Sequence, residues 1–346
     1  MHDRSSACTG SQRIGGGDPI NPRTLTSSIT LLLLLCSCGS ESPLEVSRTR
    51  LLLGTAVTIT VYGANESRAL DAIEAAFAEV ARVDRLMSTY RSESQVGVLN
   101  RTGRVKAGPD LLHVLERARA ISEASSGAFD ITVKPLLDLF SRRFEQEGRA
   151  PDPDEIASCL QLVGYQRLTV DGELVSLPSG SAISLGGIAK GYAIDLAVEA
   201  LLEEGIDHAL VNAGGDLRAL GNREGEPWRI AVQNPRDRED LLATIPLSGL
   251  AVATSGDYER FFDSDRTYHH IIDPRSGLSA GSVMSVTITA RSALDADALA
   301  TAVFVMGIDG GLALIESLDG VEAFLVSAEG AIVTSEGMNF IMLHEF

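Results

Sequence analysis

The stretch from Ser184 to Asp216 constrains the fold more than any other, because two glycine turns there enclose a helix and a strand. The first turn, Gly186-Gly187, leads through Lys190 into apolar residues at i, i+3 and i+4 spacing, which predicts a helix that ends at Gly205. A short apolar strand follows and enters the second turn, Asn-Ala-Gly-Gly-Asp. Free backbone amides and a helix N-terminus at such turns can bind an anion. The stretch therefore predicts a phosphate-binding platform.

The lysine of this platform does not belong to a common nucleotide motif. A P-loop places Lys after a Gly and before Ser or Thr, whereas Lys190 is followed by Gly191 and Tyr192. The spacing G-x-G-x-x-G of dinucleotide folds is also missing. The other two lysines of the chain are Lys106 and Lys134, so ordinary positive charge is carried by Arg. This usage modestly favours a specific role for Lys190, and a solvated lysine in a tight loop is the alternative.

The charge of the chain limits its partners. The 346 residues carry a formal net charge of −18, and no segment offers a basic patch, which argues against a nucleic-acid partner. An acidic protein that binds a phosphorylated ligand needs a cation to mediate, so a divalent metal is expected. The length allows one large domain or two.

The N-terminal segment has the features of a targeting signal. Residues 1–28 are rich in Gly, Ser and Pro, and residues 29–35 form an apolar run that is too short to span a bilayer. The order Leu35-Cys36-Ser37-Cys38 resembles a bacterial lipobox, with Cys38 as the lipidated residue. Cleavage near Gly39 or a tail from a mis-assigned start codon are the alternatives. The predicted organisation is a signal peptide at 1–38, a linker at 39–49 and a folded domain at 50–346.

The folded part mixes helices and strands, which indicates an α+β protein. Its single cysteine, Cys159, lies in an apolar pattern and is expected to be buried, so no disulfide framework exists. Residues 87–100 are predicted to form a polar loop. Helices are predicted over 66–87, 109–126, 151–163 and 293–306, and strands over 51–61, 209–211, 228–232, 249–253, 283–290, 323–326 and 331–334, with a hairpin over 168–177.

Two groups of residues outside the platform could take part in chemistry. Asp297 and Thr301 share one face of the last helix at i, i+4 spacing, and their oxygens are hard ligands that suit Mg²⁺. Alternatively, Asp297 only offsets the helix dipole and binds no metal. One of the adjacent His269 and His270 could act as a general base. Alternatively, both histidines are structural, with one ring facing solvent and the other hydrogen-bonded.

Seven segments in a fixed order closely resemble the ApbE family of FAD:protein FMN transferases. The resemblance covers nearly all of residues 50–346. It rests on MSTYRSESQVGVLN (87–100), GAFDITVKPL (127–136), LGGIAKGYAID (185–195), NAGGD (212–216), ATSGDYERFF (253–262), HHIIDPRSG (269–277) and DADALATAVFVMG (295–307).

The resemblance implies a single ApbE-like, T-fold-like domain with mixed, largely antiparallel sheets and flanking helices. It also implies Mg²⁺-dependent transfer of FMN from FAD to a Thr or Ser hydroxyl of an acceptor protein, with release of AMP. Membrane redox subunits with an FMN-binding domain are the expected acceptors, on the periplasmic side of a bacterial membrane. The chain lacks the family's Ser/Thr-Gly-Ala-Thr acceptor motif, so the target is expected to be another protein.

The matching motifs imply a set of site residues. Asp297, Thr301 and the backbone carbonyl of Gly187 would hold the metal. Lys190 would face the FAD phosphates, and His270 would deprotonate the acceptor. Many members have Asp directly before the glycine turn, whereas this chain has Ser184, which could alter the affinity for FAD. The remaining residues implied at the FAD site are Leu53, Tyr90, Asn100, Ala128, Phe129, Asp130 and Ile272.

Two other functions fit the same residues. A metal-dependent FAD pyrophosphatase would produce FMN and AMP without an acceptor. A flavin-binding lipoprotein without catalysis would store or deliver FAD. The presence of Asp297, Thr301, Lys190 and His270 favours catalysis over binding alone.

Overall fold

The computed structural model describes residues 44–263 and 267–342, so the predicted signal peptide and lipobox lie outside the described residues. The described residues belong to one unit of helices and antiparallel strands. The helices are α1 (Glu66–Met87), α2 (Gln95–Thr102), α3 (Pro109–Ala124), α4 (Lys134–Glu147), α5 (Pro153–Leu160), α6 (Ala189–Glu203) and α7 (Ala293–Glu316). Two short 3₁₀ helices cover Ile131–Val133 and Tyr165–Arg167.

The strands form one large sheet and two small ones. The large sheet has the order β1-β2-β6-β7-β10-β11-β12-β13, and the small sheets have the orders β14-β9-β8 and β3-β5-β4. The strands are β1 (Glu45–Leu52), β2 (Thr55–Tyr62), β3 (Arg104–Lys106), β4 (Thr169–Asp171), β5 (Leu174–Ser176), β6 (Ala209–Ala213), β7 (Asp216–Leu220), β8 (Trp228–Gln233), β9 (Leu241–Leu247), β10 (Ala251–Gly256), β11 (Val283–Ala290), β12 (Glu322–Ser327), β13 (Ile332–Thr334) and β14 (Ile341–Met342).

The two faces of the large sheet bury different partners. One face packs its alternate apolar residues, such as Ile59 and Val211, against α1, α6 and α7 in the main core. The other face packs residues such as Leu217 and Phe324 against the sheet of β8 and β9, with Trp228 in the contact. Because the helices cover one face, the loops at the strand ends gather around the N-termini of α6 and α7. This arrangement positions the candidate site.

Helix α7 is the most apolar helix among the described residues. It is long and apolar enough to span a membrane by these two criteria, with a mean hydropathy of 2.0, but 61% of its apolar window is buried in the protein. Ser292 caps its N-terminus by accepting a hydrogen bond from the amide of Asp295 at 3.2 Å. At Gly307 the backbone has φ 76° and ψ −173°, so the helix breaks there and resumes.

Several predictions are confirmed and several are wrong. The helix over 66–87, the strand over 283–290 and the hairpin over Asp171-Gly172 form as predicted, and Cys159 is buried. The strand over 51–61 is instead the hairpin of β1 and β2, which turns at Leu53-Gly54. Strand β1 begins at Glu45, inside the predicted linker. The predicted loop over 87–100 contains the start of α2, α4 was missed, and α7 continues beyond 306.

Candidate active site

The site forms where α6 and α7 approach each other closely. A Cβ atom added to Gly191 would lie 2.1 Å from the carbonyl oxygen of Ala293, so only glycine allows this contact. The amide of Gly191 donates to Oδ2 of Asp297 at 3.0 Å. The close contact thereby places Lys190, the second residue of α6, beside the first turns of α7.

A second carboxylate fixes the start of α7. Asp195 of α6 accepts hydrogen bonds from the amides of Ala293 and Leu294 and from the hydroxyl of Ser292, each at 2.9 Å. Arg218 of β7 pairs with the same carboxylate at 2.8 Å. Asp195 is not among the predicted site residues, although an Asp inside an otherwise apolar helical pattern is a signal for such a buried cap.

Three hard oxygen donors lie together on this helix pair. Asp297 is 5% exposed and borders the cavity, and the Gly191 amide is its one hydrogen-bond donor among the described residues. Thr301 Oγ1 lies 3.3 Å from the hydroxyl of Ser255. A Cβ atom on Gly187 would lie 3.0 Å from Thr301 Oγ1, so the backbone of Gly187 abuts that hydroxyl. Burial raises the pKa of Asp297, while the charge of Lys190 opposes the shift.

Lys190 lies between two carboxylates. Its ammonium forms an ion pair with Asp216 of the second glycine turn, and Asp216 also accepts the amide of Thr254 at 3.1 Å. Burial lowers the pKa of Lys190, but the carboxylates of Asp216 and Asp297 outweigh it and leave the pKa above its ordinary value. The amides of Gly187 and Lys190 donate to no acceptor among the described residues. A charged lysine and free amides at a helix N-terminus fit the predicted anion platform.

The two histidines have different roles. His269 is 3% exposed, its Nε2 lies 2.7 Å from the carbonyl of Ala280, and its Nδ1 accepts the amide of Ile271 at 3.3 Å. Both nitrogens of His269 are therefore used within the fold. His270 borders the cavity, and its Nδ1 lies 2.9 Å from the carbonyl of Arg260.

The contact with Arg260 assigns the tautomer of His270. A carbonyl oxygen only accepts, so Nδ1 carries the proton and Nε2 keeps its lone pair. Burial lowers the pKa of His270 to about 4, so the ring is neutral at pH 7. Of the two histidines, His270 is the one that can accept a proton in the cavity.

Gly187, Lys190, His270, Asp297 and Thr301 line one cavity of about 1580 Å³. A pocket for a drug-sized ligand measures about 300–1,000 Å³, so this cavity has room for a larger ligand. Among the described residues no group of three or more His, Cys, Asp or Glu side chains is placed so that it could hold a metal ion, so a metal here would depend on hydroxyl and carbonyl oxygens as well.

Comparison with known proteins identifies the family. The sequence profile of the ApbE family matches residues 53–325. The chain belongs to the ApbE family. It is 32% identical to the FAD:protein FMN transferase of Treponema pallidum, with 89% of this chain and 92% of that protein covered, and 33% identical to that of Vibrio cholerae, with 84% and 90% covered.

Solved ApbE structures share the fold. The ApbE protein of Thermotoga maritima superimposes with a TM-score of 0.78 at 36% identity, over 85% of this chain and 97% of that chain. The flavin transferase ApbE of Vibrio cholerae gives a TM-score of 0.75 at 30% identity, over 85% and 98%. These structures confirm the predicted ApbE-like α+β fold. In the described residues every strand pair of the three sheets is antiparallel, so the sheets are not mixed.

The ApbE motifs place most of the predicted site residues at the cavity. Tyr90 stands at its mouth with 91% of its surface exposed, and Leu53 adopts a positive φ of 54° in the turn between β1 and β2. The predicted residues that border the cavity are Leu53, Tyr90, Ala128, Phe129, Asp130, Ser184, Gly187, Lys190, His270, Ile272, Asp297 and Thr301.

Asn100 is the exception. It does not border the cavity, and its side-chain amide donates to the carbonyl of Ile183 at 2.8 Å while its carbonyl oxygen accepts the amide of Ile183 at 2.7 Å. Both groups of the Asn100 side chain are thus used by the backbone of Ile183, and its place near the nucleotide stays a prediction. Asn100 thereby holds the segment that leads into the first glycine turn.

Asp130 borders the cavity but uses its carboxylate within the fold. One oxygen accepts the amide and the hydroxyl of Thr132, both at 2.7 Å, and the other accepts the amide of Tyr165 at 2.6 Å. Ser184 accepts a weak hydrogen bond from the amide of Gly186 at 3.4 Å and keeps its hydroxyl near the cavity.

Proposed function

We propose that the protein transfers FMN from FAD to a Ser or Thr hydroxyl of an acceptor protein and releases AMP. Its ApbE relatives carry the name FAD:protein FMN transferase, which supports a substrate of this kind and a protein acceptor. One observation carries the proposal: an anion platform, a set of hard oxygen donors and a neutral histidine border one cavity.

The platform would bind the diphosphate of FAD. Lys190 supplies the positive charge, and the free amides of Gly187 and Lys190 supply donors at the N-terminus of α6. Phe129 and Ile272 form apolar walls nearby, and the exposed ring of Tyr90 offers a surface for stacking on a flavin or adenine ring. Binding at the diphosphate would require Lys190 to share its charge between Asp216 and the ligand.

The oxygens of Asp297, Thr301 and the Gly187 backbone fit Mg²⁺. The fit rests on the buried carboxylate of Asp297, which has one hydrogen-bond donor among the described residues and lies beside a hydroxyl and a glycine backbone. Such oxygen donors are the ones that Mg²⁺ prefers, and the ion's remaining positions suit water and substrate phosphate. When bound, the ion would neutralise charge on the phosphates.

His270 would accept the proton of the acceptor hydroxyl through Nε2. The hydroxyl oxygen forms a bond to the phosphorus of the FMN half, the bond to the bridging oxygen of the diphosphate breaks, and AMP leaves with that oxygen. Lys190 and the turn amides hold the diphosphate in place while charge shifts to the leaving phosphate. The Arg260 carbonyl keeps the His270 ring in the tautomer that this step needs.

A metal-dependent FAD pyrophosphatase is the second candidate. The same base could take a proton from water, and the cavity is wide enough to admit water beside FAD. A binding protein without catalysis is a third candidate, but a neutral histidine fixed in a single tautomer supports catalysis.

We also propose that the enzyme is a periplasmic lipoprotein that modifies a membrane redox subunit with an FMN-binding domain. The lipobox-like order Leu35-Cys36-Ser37-Cys38 supports an anchor at Cys38. An anchor at the membrane would bring the cavity close to a membrane-bound acceptor.

The decisive test uses the chain from Ser40 onward with FAD and Mg²⁺, with and without a Thr-containing acceptor domain. AMP release and the mass of the acceptor are followed together. AMP with an acceptor that gains one FMN is the expected result. AMP and free FMN with an unchanged acceptor would instead establish the pyrophosphatase, and bound but intact FAD would leave only the binding protein.

A further inference from the structure

One strand edge opens into the cavity. Strand β8 is the last strand of the order β14-β9-β8, so in the described part of the chain no strand pairs with its other side. Five consecutive residues of β8, from Arg229 to Gln233, border the cavity. Because side chains of a strand alternate between the two faces, five residues in a row can reach one cavity only along the edge. The open backbone edge of β8 therefore forms part of the cavity wall.

The register with β9 shows which backbone groups are free. Arg229 lies opposite Pro246, and proline has no N–H. A hydrogen-bonded antiparallel pair exchanges two N–H···O bonds, so Arg229 belongs to a non-hydrogen-bonded pair and directs its N–H and C=O away from β9. Ala231, two residues further along β8, also belongs to a non-hydrogen-bonded pair and directs its N–H and C=O away from β9. These groups are ready to pair with another extended chain.

This edge is less protected than the edge of the large sheet. On β1 the side chains of Arg48 and Arg50 are exposed, and charged side chains discourage pairing with another strand. Strand β8 has a single charged residue, Arg229, and its exposed position 231 carries only a methyl group. The edge of β8 thus offers space and free backbone groups together.

The C-terminal end of β8 connects to the proposed base. The loop after β8 is held by Arg236, whose guanidinium binds both carboxylate oxygens of Asp257 at 2.7 Å. Asp257 precedes Arg260, whose carbonyl fixes His270. A chain paired with β8 would therefore have one end near Arg236, which binds the segment 257–260 that in turn fixes His270.

We infer that the edge of β8 binds the acceptor protein, as an extended segment that adds an antiparallel or parallel strand and delivers its Ser or Thr hydroxyl to His270. The inference rests on the proposed transferase function, and it specifies how the acceptor is recognised. Main-chain hydrogen bonds give affinity in such strand addition, so acceptors of different sequence can share one site. FAD has no row of alternating donors and acceptors that would match this edge.

The first test is amide hydrogen exchange of the wild-type protein. A synthetic peptide with the sequence Ser-Gly-Ala-Thr at its centre is added without FAD. We expect the amides of Arg229 and Ala231 to exchange about tenfold more slowly, because each gains a hydrogen bond. Unchanged exchange at both amides overturns the inference. Protection by FAD alone, or protection that depends on protein concentration without peptide, also overturns it, since flavin or a second copy would then occupy the edge.

The second test measures transfer with the variant Ala231→Pro. Proline removes the outward N–H, which the ladder with β9 does not use. The KM for the peptide should rise about tenfold, while the KM for FAD stays unchanged. The comparison variant Ala231→Val keeps the N–H at a similar side-chain size, so its KM for the peptide should rise far less than that of Ala231→Pro. Equal peptide KM values in the proline variant and wild type contradict the inference.

The two tests separate this inference from the proposed function. Peptide protection of β8 without any FMN transfer would keep the docking site and reject the transferase. FMN transfer by wild type without protection of β8 would keep the transferase and reject the docking site.

Discussion

Asp195 and Asp297 are two buried carboxylates at the same helix contact, and their surroundings differ sharply. Asp195 accepts two backbone amides and a hydroxyl and pairs with Arg218, so both of its oxygens are used within the fold. Asp297 accepts one amide among the described residues and borders the cavity. A carboxylate buried with few donors keeps its desolvation cost. Asp195 therefore stabilises the fold, whereas Asp297 keeps oxygen atoms available for a ligand.

The substitution Asp297→Asn should have the largest effect on activity. We expect FMN transfer to fall about 10³-fold or more, because the amide loses the charge that the proposed metal site needs. The free energy of unfolding of the metal-free protein should not fall, since the substitution removes a poorly compensated charge. Acceptor mass and urea unfolding measure the two effects. Wild-type transfer by this variant would contradict the metal assignment.

The substitution His270→Ala should lower transfer about 10²–10⁴-fold, the usual contribution of a general base. FAD binding should persist, as a flavin fluorescence titration would show. The matched control is His269→Gln, which tests the buried ring and should act mainly on stability. Similar losses of transfer in both variants at equal folded fraction would remove the distinction between the two histidines.

The pH dependence of transfer tests the environment of His270. Its pKa is lowered to about 4 from the ordinary 6.5, so the ring stays neutral and able to accept a proton down to about pH 4. Between pH 6.5 and 4 the unfolded chain binds a proton at this ring that the folded protein does not, so His270 lowers stability as the pH falls through this window. The contrary result is a fall in kcat/KM for the acceptor with its midpoint at pH 6.5. If this fall is present in the wild type and absent in His270→Ala, the ring has its ordinary pKa.

The substitution Asp195→Asn should act on stability. An amide in place of the carboxylate would present its NH₂ group to helix amides or to Arg218, and we expect a loss of about 2 kcal/mol in the free energy of unfolding. At a temperature where the variant is folded, transfer should change far less than in Asp297→Asn. Loss of transfer with full stability would show that Asp195 also acts in the chemistry.

The substitution Gly191→Ala tests the contact that both carboxylates share. The new methyl group would meet the carbonyl of Ala293, and overpacking of this kind costs about 1–3 kcal/mol. Separation of α6 from α7 should also raise the Mg²⁺ concentration for half-maximal transfer. The control Gly310→Ala lies in the same helix as Asp297, where the added Cβ would meet only ordinary contacts with Met306 at 3.5 Å or more. Identical Mg²⁺ dependence in all three proteins would contradict the role of the contact.

The smallest effect is expected for Ser184→Asp, which places a carboxylate next to the first glycine turn. We expect the KM for FAD to fall by about a few-fold with unchanged kcat, because the carboxylate gains hydrogen bonds that strengthen binding in ground state and transition state alike. A steady-state titration of FAD measures it. A change in kcat at constant KM would place Ser184 in the transfer step.

Long periodic elements could be predicted from the sequence, and short ones could not. Helix α1 over Glu66–Met87 buries its regular apolar face and matches the prediction. Helix α2 has eight residues within a polar stretch, and the cap at Ser94, which accepts the amide of Gly97, was its available signal. Helix α4 begins with a proline in its first turn, a start signal that was not used. The predicted helix over 293–306 stops where Gly307 interrupts the helical backbone, but α7 resumes beyond this residue.

The site was predicted in part. Resemblance to a motif indicates which residues lie near a ligand, but it does not indicate the hydrogen-bond partner of each side chain. Lys190 and Asp297 lie where the motifs place them, at the cavity. Asn100 and Asp130 come from the same motifs, yet both bond the backbone of other segments. The role of Asp195 depends on where the start of α7 meets α6, and a sequence pattern does not contain that contact.

The contact of Gly191 with Asp297 also sets the order in which the protein becomes active during synthesis. The two residues are 106 positions apart, and the strands β6 to β11 lie between them in the chain. A nascent chain that ends after the second glycine turn has the residues of the anion platform but lacks the carboxylate and hydroxyl of α7. Contacts of such long range form late in folding. A chain truncated before Ala293 would therefore lack two of the three proposed metal ligands and would be inert even if its earlier elements formed.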